Sequence, residues 1–200
     1  MTPSEKHIVD LLKRRYGVEL VKIKETDQKT ADFECHKGGK PICVAELKDI
    51  EYYLPSAETG WKIEKSEEPL DGVRILSASR QKDNGPNRVA RLIHTAYKQL
   101  QHYELPRVLI FLNQDSRVDV LDLKEAIEGQ LTYDNDNSSY ANTAFSETEA
   151  FADIETEKKS IDLYIWIDKG SLIMRSKDKI FLRYPNQIGC DLASQHFKVM

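Results

Sequence analysis

Apolar positions open the chain with a helical period. Ile8, Leu11, Leu12 and Tyr16 recur at i, i+3, i+4 and i+8, the spacing of one helix face. Thr2-Pro3-Ser4-Glu5 in front of them has the form of a capping box with proline at the first helical position, and Gly17 ends the run. The period then shortens to two over VELVKIK (18–24), TADFECH (30–36) and PICVAELK (41–48), the last two flanking KGGK. These predict a three-stranded meander after one helix. A helical stripe returns in PNRVARLIHTAYKQLQHY (86–103), with Val89, Leu92, Ile93, Ala96 and Leu100 in phase. Pro106 stops it, and RVLIFLN (107–113) predicts a buried strand.

Between the meander and that second helix, residues 49–85 are broken by Pro55, Gly60, Pro69, Gly72 and Gly85, and only VRILSAS (73–79) reads as a strand. An insertion of this length is often functional. DVLDLKEAIEG (119–129) predicts a further helix, and the polar, acidic run over about 130–158 predicts a loop. IDLYIWID (161–168) and SLIMRS (171–176) are expected to pair across Lys169-Gly170, with KIFLRYP (179–185) as a third strand. The expectation is one domain over 1–200 of the α/β class, an α+β mixed sheet. Its αβββαβ core spans about 2–113, and C-terminal strands are added over about 160–185. A crossover from the meander through the 86–103 helix to a parallel 107–113 strand would be right-handed.

Charge changes the picture in one respect. The net charge is −4, which argues against indiscriminate polyanion binding. Residues 111–157 alone carry a net −10, while 61–110 carry +3 and 158–200 carry +4. One acidic segment thus masks a mildly basic remainder on which a polyanion could bind. No run approaches the roughly 18 apolar residues of a membrane span, so no membrane partner is expected. Three scattered cysteines, Cys35, Cys43 and Cys190, do not form a disulfide framework. A reducing, cytoplasmic setting is the expectation.

The chemistry lies in the meander. Glu46 and Lys48 are two apart on one strand and share a face. Asp32, on the preceding strand, lies opposite Glu46 if the hairpin pairs with a sum of 78, as a three-residue Gly38-Gly39-Lys40 loop gives. A two-residue Gly38-Gly39 loop gives a sum of 77 and turns Asp32 away unless a bulge corrects it. Two carboxylates that meet require a proton or a cation. All-oxygen coordination by Asp32, Glu46 and the Leu47 carbonyl suits Mg²⁺ or Mn²⁺. Lys48 beside them could orient a water or offset charge on a phosphate. That set fits metal-assisted hydrolysis of a phosphodiester.

Asp32, followed after thirteen residues by Glu46-Leu47-Lys48, resembles the active-site signature of the PD-(D/E)XK nuclease superfamily, and the element order resembles that superfamily's restriction-endonuclease-like core. The resemblance covers about residues 2–113. Ala31 stands where the superfamily usually has proline. The resemblance implies a Mg²⁺-dependent deoxyribonuclease in which Asp32 and Glu46 hold the metal and Lys48 orients the attacking water. It also implies a place near the metal for Glu5, which as a capping residue has a competing duty. Gln99 and Tyr103 match a QxxxY pattern that places both near the site and the DNA; at i and i+4 they share a helix face.

Arg80, Lys82, Arg88, Arg91 and Lys98 gather around the start and face of the second helix and are candidates for gripping a nucleic-acid backbone. DNA is the expected partner, with RNA as an alternative. A second copy or a partner subunit would supply recognition, because no sequence-reading motif such as a helix-turn-helix is present. The competing reading is a non-catalytic nucleic-acid- or protein-binding module of the same fold, or a subunit of a DNA defence or repair complex.

Overall fold

The computed structural model describes residues 1–24, 30–51, 62–65, 76–79, 85–128, 130–133, 140–143, 154–169 and 178–198. In chain order the elements are α1 (Pro3–Tyr16), β1 (Glu19–Lys22), β2 (Phe33–Lys37), β3 (Lys40–Ile50), β4 (Lys62–Lys65), β5 (Leu76–Ser79), α2 (Gly85–Leu100), β6 (Arg107–Asn113), α3 (Val120–Glu128), β7 (Gln130–Tyr133), β8 (Tyr140–Thr143), α4 (Ile154–Ser160), β9 (Leu163–Asp168), β10 (Lys179–Arg183) and α5 (Gln187–His196). Six strands form one mixed sheet in the order β1-β2-β3-β6-β9-β10. The outer pairs are antiparallel; β3, β6 and β9 run parallel to one another. The class is therefore mixed α/β, and the helix–meander–helix–strand order is present. β4–β5 and β7–β8 are separate two-stranded hairpins.

The alternation along the strands decides which layer covers which face. Phe33, Ala45, Leu47, Ile110 and Ile165 pack with α1 and α5 on one side. Val44, Ile50, Leu109, Phe111, Tyr164 and Trp166 pack with α2, α3 and α4 on the other. The parallel strands β6 and β9 are apolar at almost every position because both of their faces are covered. Phe111 and Trp166 meet at 5.5 Å between ring centroids on the α2 side, and Tyr16 meets Phe197 edge-on at 5.6 Å on the other.

The capping box at α1 forms as its sequence predicts. The Glu5 amide donates to Thr2 Oγ1 at 3.2 Å and the Thr2 amide donates to Glu5 Oε2 at 2.6 Å, while Gly17 closes the helix at φ 66°.

Several expected elements differ. The partner expected for β9, 171–176, lies outside the described residues. The edges of β9 are taken by β6 and by β10, the latter its antiparallel neighbour. The acidic 130–158 stretch is not wholly loop: it contains β7, β8 and most of α4. α4 seats Ile154 in the core and receives His94 of α2 at Glu157, with Nδ1 2.6 Å from Oε1. Two buried anchors one helical turn apart, Ile154 and Glu157, outweigh the polar composition of α4. The second helix stops at Leu100 rather than at 103, and α5 has no counterpart in the sequence prediction.

Candidate functional site

The hairpin register decides whether the acids meet. Lys37 pairs with Lys40 across a two-residue turn, with Gly38 and Gly39 at φ 59° and 75°. Both values are left-handed, which only glycine adopts freely. That turn alone would put Asp32 on the wrong face. Between Cys35 and His36 the register shifts: His36 pairs with Pro41 but Cys35 pairs with Cys43, so Ile42 is the extra residue of a bulge. From there the sum is 78, through Phe33 opposite Ala45. Asp32 follows in the same phase and comes beside Glu46, its amide donating to Glu46 Oε2 at 3.2 Å.

Just past Phe33–Ala45 the two strands part. The next pair to exchange ladder bonds would be Ala31 and Leu47. Instead the Ala31 amide donates to Tyr103 Oη at 3.3 Å, and the Leu47 amide donates to Asp32 Oδ2 at 3.0 Å. Side chains of two candidate residues thus cap the frayed ladder, and the Leu47 carbonyl faces the gap.

Glu46 is 2% exposed. Burial pushes its carboxyl up to about 7, against the attraction of Lys48, and the nearby Asp32 carboxylate raises it further. Lys48 Nζ donates to Glu46 Oε1 at 2.7 Å and to Gln99 Oε1 at 2.8 Å. Gln99 Nε2 in turn donates to the Thr30 carbonyl at 3.3 Å, closing a circuit from α2 to the segment before β2. An ammonium has three donors. Two are used here among the described residues, and the third is the one a water or a phosphate oxygen would meet.

The predicted residues are brought together unequally. Asp32, Glu46, Leu47, Lys48, Gln99 and Tyr103 converge on one end of the meander. Tyr103 does so from beyond the C-terminus of α2, not from its face. Glu5 takes the cap with Oε2, and its Oε1 accepts from Lys22 Nζ. Arg91 and Lys98 lie exposed on α2, seven residues apart on the stripe next to Gln99. Arg88 is committed elsewhere. Its Nη1 donates to Asp115 Oδ2 at 2.9 Å and its Nη2 to the Glu51 carbonyl at 2.7 Å, and Arg117 holds the same buried carboxylate. The Arg117 hydrogen bonds, aided by Arg88, keep Asp115 well below the usual carboxylate range. Arg80 and Lys82 lie outside the described residues.

Lys22 was not anticipated. Its ammonium also donates to Asp32 Oδ1 at 2.9 Å, and it lies 5.1 Å from the Phe33 ring centroid. The signal was in the alternation: Val18 and Leu20 point inward, and a lysine takes the next inward position. Burial opposes the charge on both Lys22 and Glu5. Their mutual hydrogen bond, with Asp32 for Lys22 and Thr2 for Glu5, outweighs it, raising the lysine and lowering the carboxyl.

Among the described residues no group of three or more His, Cys, Asp or Glu side chains gathers to hold a metal ion. Asp32 and Glu46 reach three oxygen donors only with the Leu47 carbonyl. That donor set nevertheless suits a hard divalent cation. Also among the described residues, no helix is long and apolar enough to cross a membrane. Comparisons of the chain with protein-family models, with curated proteins and with solved structures find no match.

Proposed function

We propose that this chain is a metal-dependent nuclease of the PD-(D/E)XK type that hydrolyses phosphodiester bonds in DNA. The observation that carries this reading is the bulge at Ile42, which restores the phase that sets Asp32 beside Glu46 and Lys48. Asp32, Glu46 and the Leu47 carbonyl would hold Mg²⁺ or Mn²⁺. Such an ion polarises the scissile phosphate and lowers the pKa of a bound water. Lys48, aimed by Glu46 and Gln99, directs its remaining N–H at the attacking water and at the charge that builds on the phosphate. Gln99 fixes the lysine from α2, and Tyr103 holds the β2 approach in place through the Ala31 amide. Arg91 and Lys98 offer exposed cations along the same helix for backbone phosphates.

One observation favours the second reading, a non-catalytic binding module or subunit. Asp32 and Glu46 each already have a lysine partner, so the cluster is held together by ion pairs. Incubating the protein with DNA and Mn²⁺ separates the two. The nuclease reading expects cleavage that EDTA stops and that Lys48→Ala reduces at least a hundredfold while DNA binding persists. Cleavage surviving in both Asp32→Ala and Lys48→Ala would overturn it, and DNA binding without any cleavage would favour the module.

A further inference from the structure

We propose that Lys22 is a positioning residue that takes the place of a second metal ion, so that the site works with one divalent cation. This rests on the nuclease reading above and specifies how that site is charged. The ammonium sits between two carboxylates from different elements, Glu5 of α1 and Asp32 before β2. A cation bridging those carboxylates is what a two-ion site would need there. The Lys22 ammonium itself holds one oxygen of each carboxylate, and a neighbouring amide holds the other. Glu5 Oε2 caps the helix and Oε1 accepts from Lys22. Asp32 Oδ2 accepts from the Leu47 amide and Oδ1 from Lys22.

The lysine is also held from below. It lies opposite Phe33 in the β1–β2 register, and its ammonium is over that ring. Its side chain is 28% exposed, so the charge is delivered inside the site and not loosely in solvent. Held there, the ammonium draws off the outer oxygen of Asp32. It also occupies the one Glu5 oxygen not used by the cap, leaving the Glu46 and Leu47 side of Asp32 to a single ion. A fixed ammonium does this at any metal concentration.

Mn²⁺ titration by calorimetry and by paramagnetic resonance of the free ion, without DNA, tests this. The wild type is expected to saturate at one ion per chain, and so is Lys22→Arg. Lys22→Gln is expected to take two, and Lys22→Gln combined with Glu5→Gln to return to one. A wild type that binds two ions, or a folded Lys22→Gln that still binds one, overturns the proposal. A wild type that binds none overturns the metal reading beneath it. Should Lys22→Gln fail to fold, the wild-type stoichiometry together with Lys22→Arg decides: two ions in either overturns it.

Discussion

The Asp32 amide donates to Glu46 Oε2 at 3.2 Å, so the first acid of the site is tied to the second through its own backbone. The tie makes the geometry of the pair depend on strand register and not on two independent rotamers.

Glu46 gives the protein a pH dependence opposite to that of most carboxylates. Its folded-state carboxyl is raised from 4.5 to about 7. The native state therefore holds the proton more tightly than the unfolded chain. In metal-free buffer stability is highest below about pH 4.5 on account of this group and declines as pH rises to about 7, by on the order of 3 kcal/mol. Chemical denaturation of the wild type and Glu46→Gln across this range measures it. The difference between the two should change with that slope, and a difference constant with pH would refute the assignment.

Ile42 is the extra residue that the bulge absorbs. Deleting it leaves the glycine turn intact and removes the bulge, yet Cys35 still falls opposite Cys43 and Asp32 beside Glu46, because the two-residue turn alone then sets that pairing. The loss of a partly buried isoleucine costs roughly 1–3 kcal/mol, and the fold is expected to survive. Any Mn²⁺-induced rise in melting temperature should therefore persist in the deletion variant, as it does in Ile42→Ala. A response lost in the deletion but kept in Ile42→Ala would show that pairing alone does not assemble the two acids.

Tyr103 acts through its hydroxyl. Tyr103→Phe keeps the ring and leaves the Ala31 amide without its acceptor, at a cost of about 1 kcal/mol. Hydrogen exchange at Ala31 should accelerate severalfold, with the amide of Val44, bonded to the Pro106 carbonyl where the β3–β6 ladder begins, unchanged. Unaltered exchange at Ala31 would remove Tyr103 from the set that holds Asp32.

The parts of this molecule that sequence made legible are those where one period dominates. The α1 cap, the meander, the α2 stripe and the β6 run each follow a local pattern that packing then reinforces. Glu46 and Lys48 were legible together for the same reason, since they share a face by strand geometry alone. The register of Asp32 was not. It depends on a bulge, and nothing in PICVAELK marks Ile42 as the unpaired residue. Lys22 was visible only as a break in alternation. β6 and β10 flank β9, neighbours that a reading by sequence proximity alone does not give. α4 was hidden by its charge, and its placement comes from a long-range pair, His94 with Glu157.

Because the bulge lies between the glycine turn and the acids, the hairpin tip is modular. Only the pairing of Phe33 with Ala45 matters to the chemistry. A tip lengthened by one residue and relieved of Ile42 would present the same face. Loops of varied length, even ones bearing grafted recognition elements, can thus be exchanged at Gly38-Gly39 while that pairing is kept.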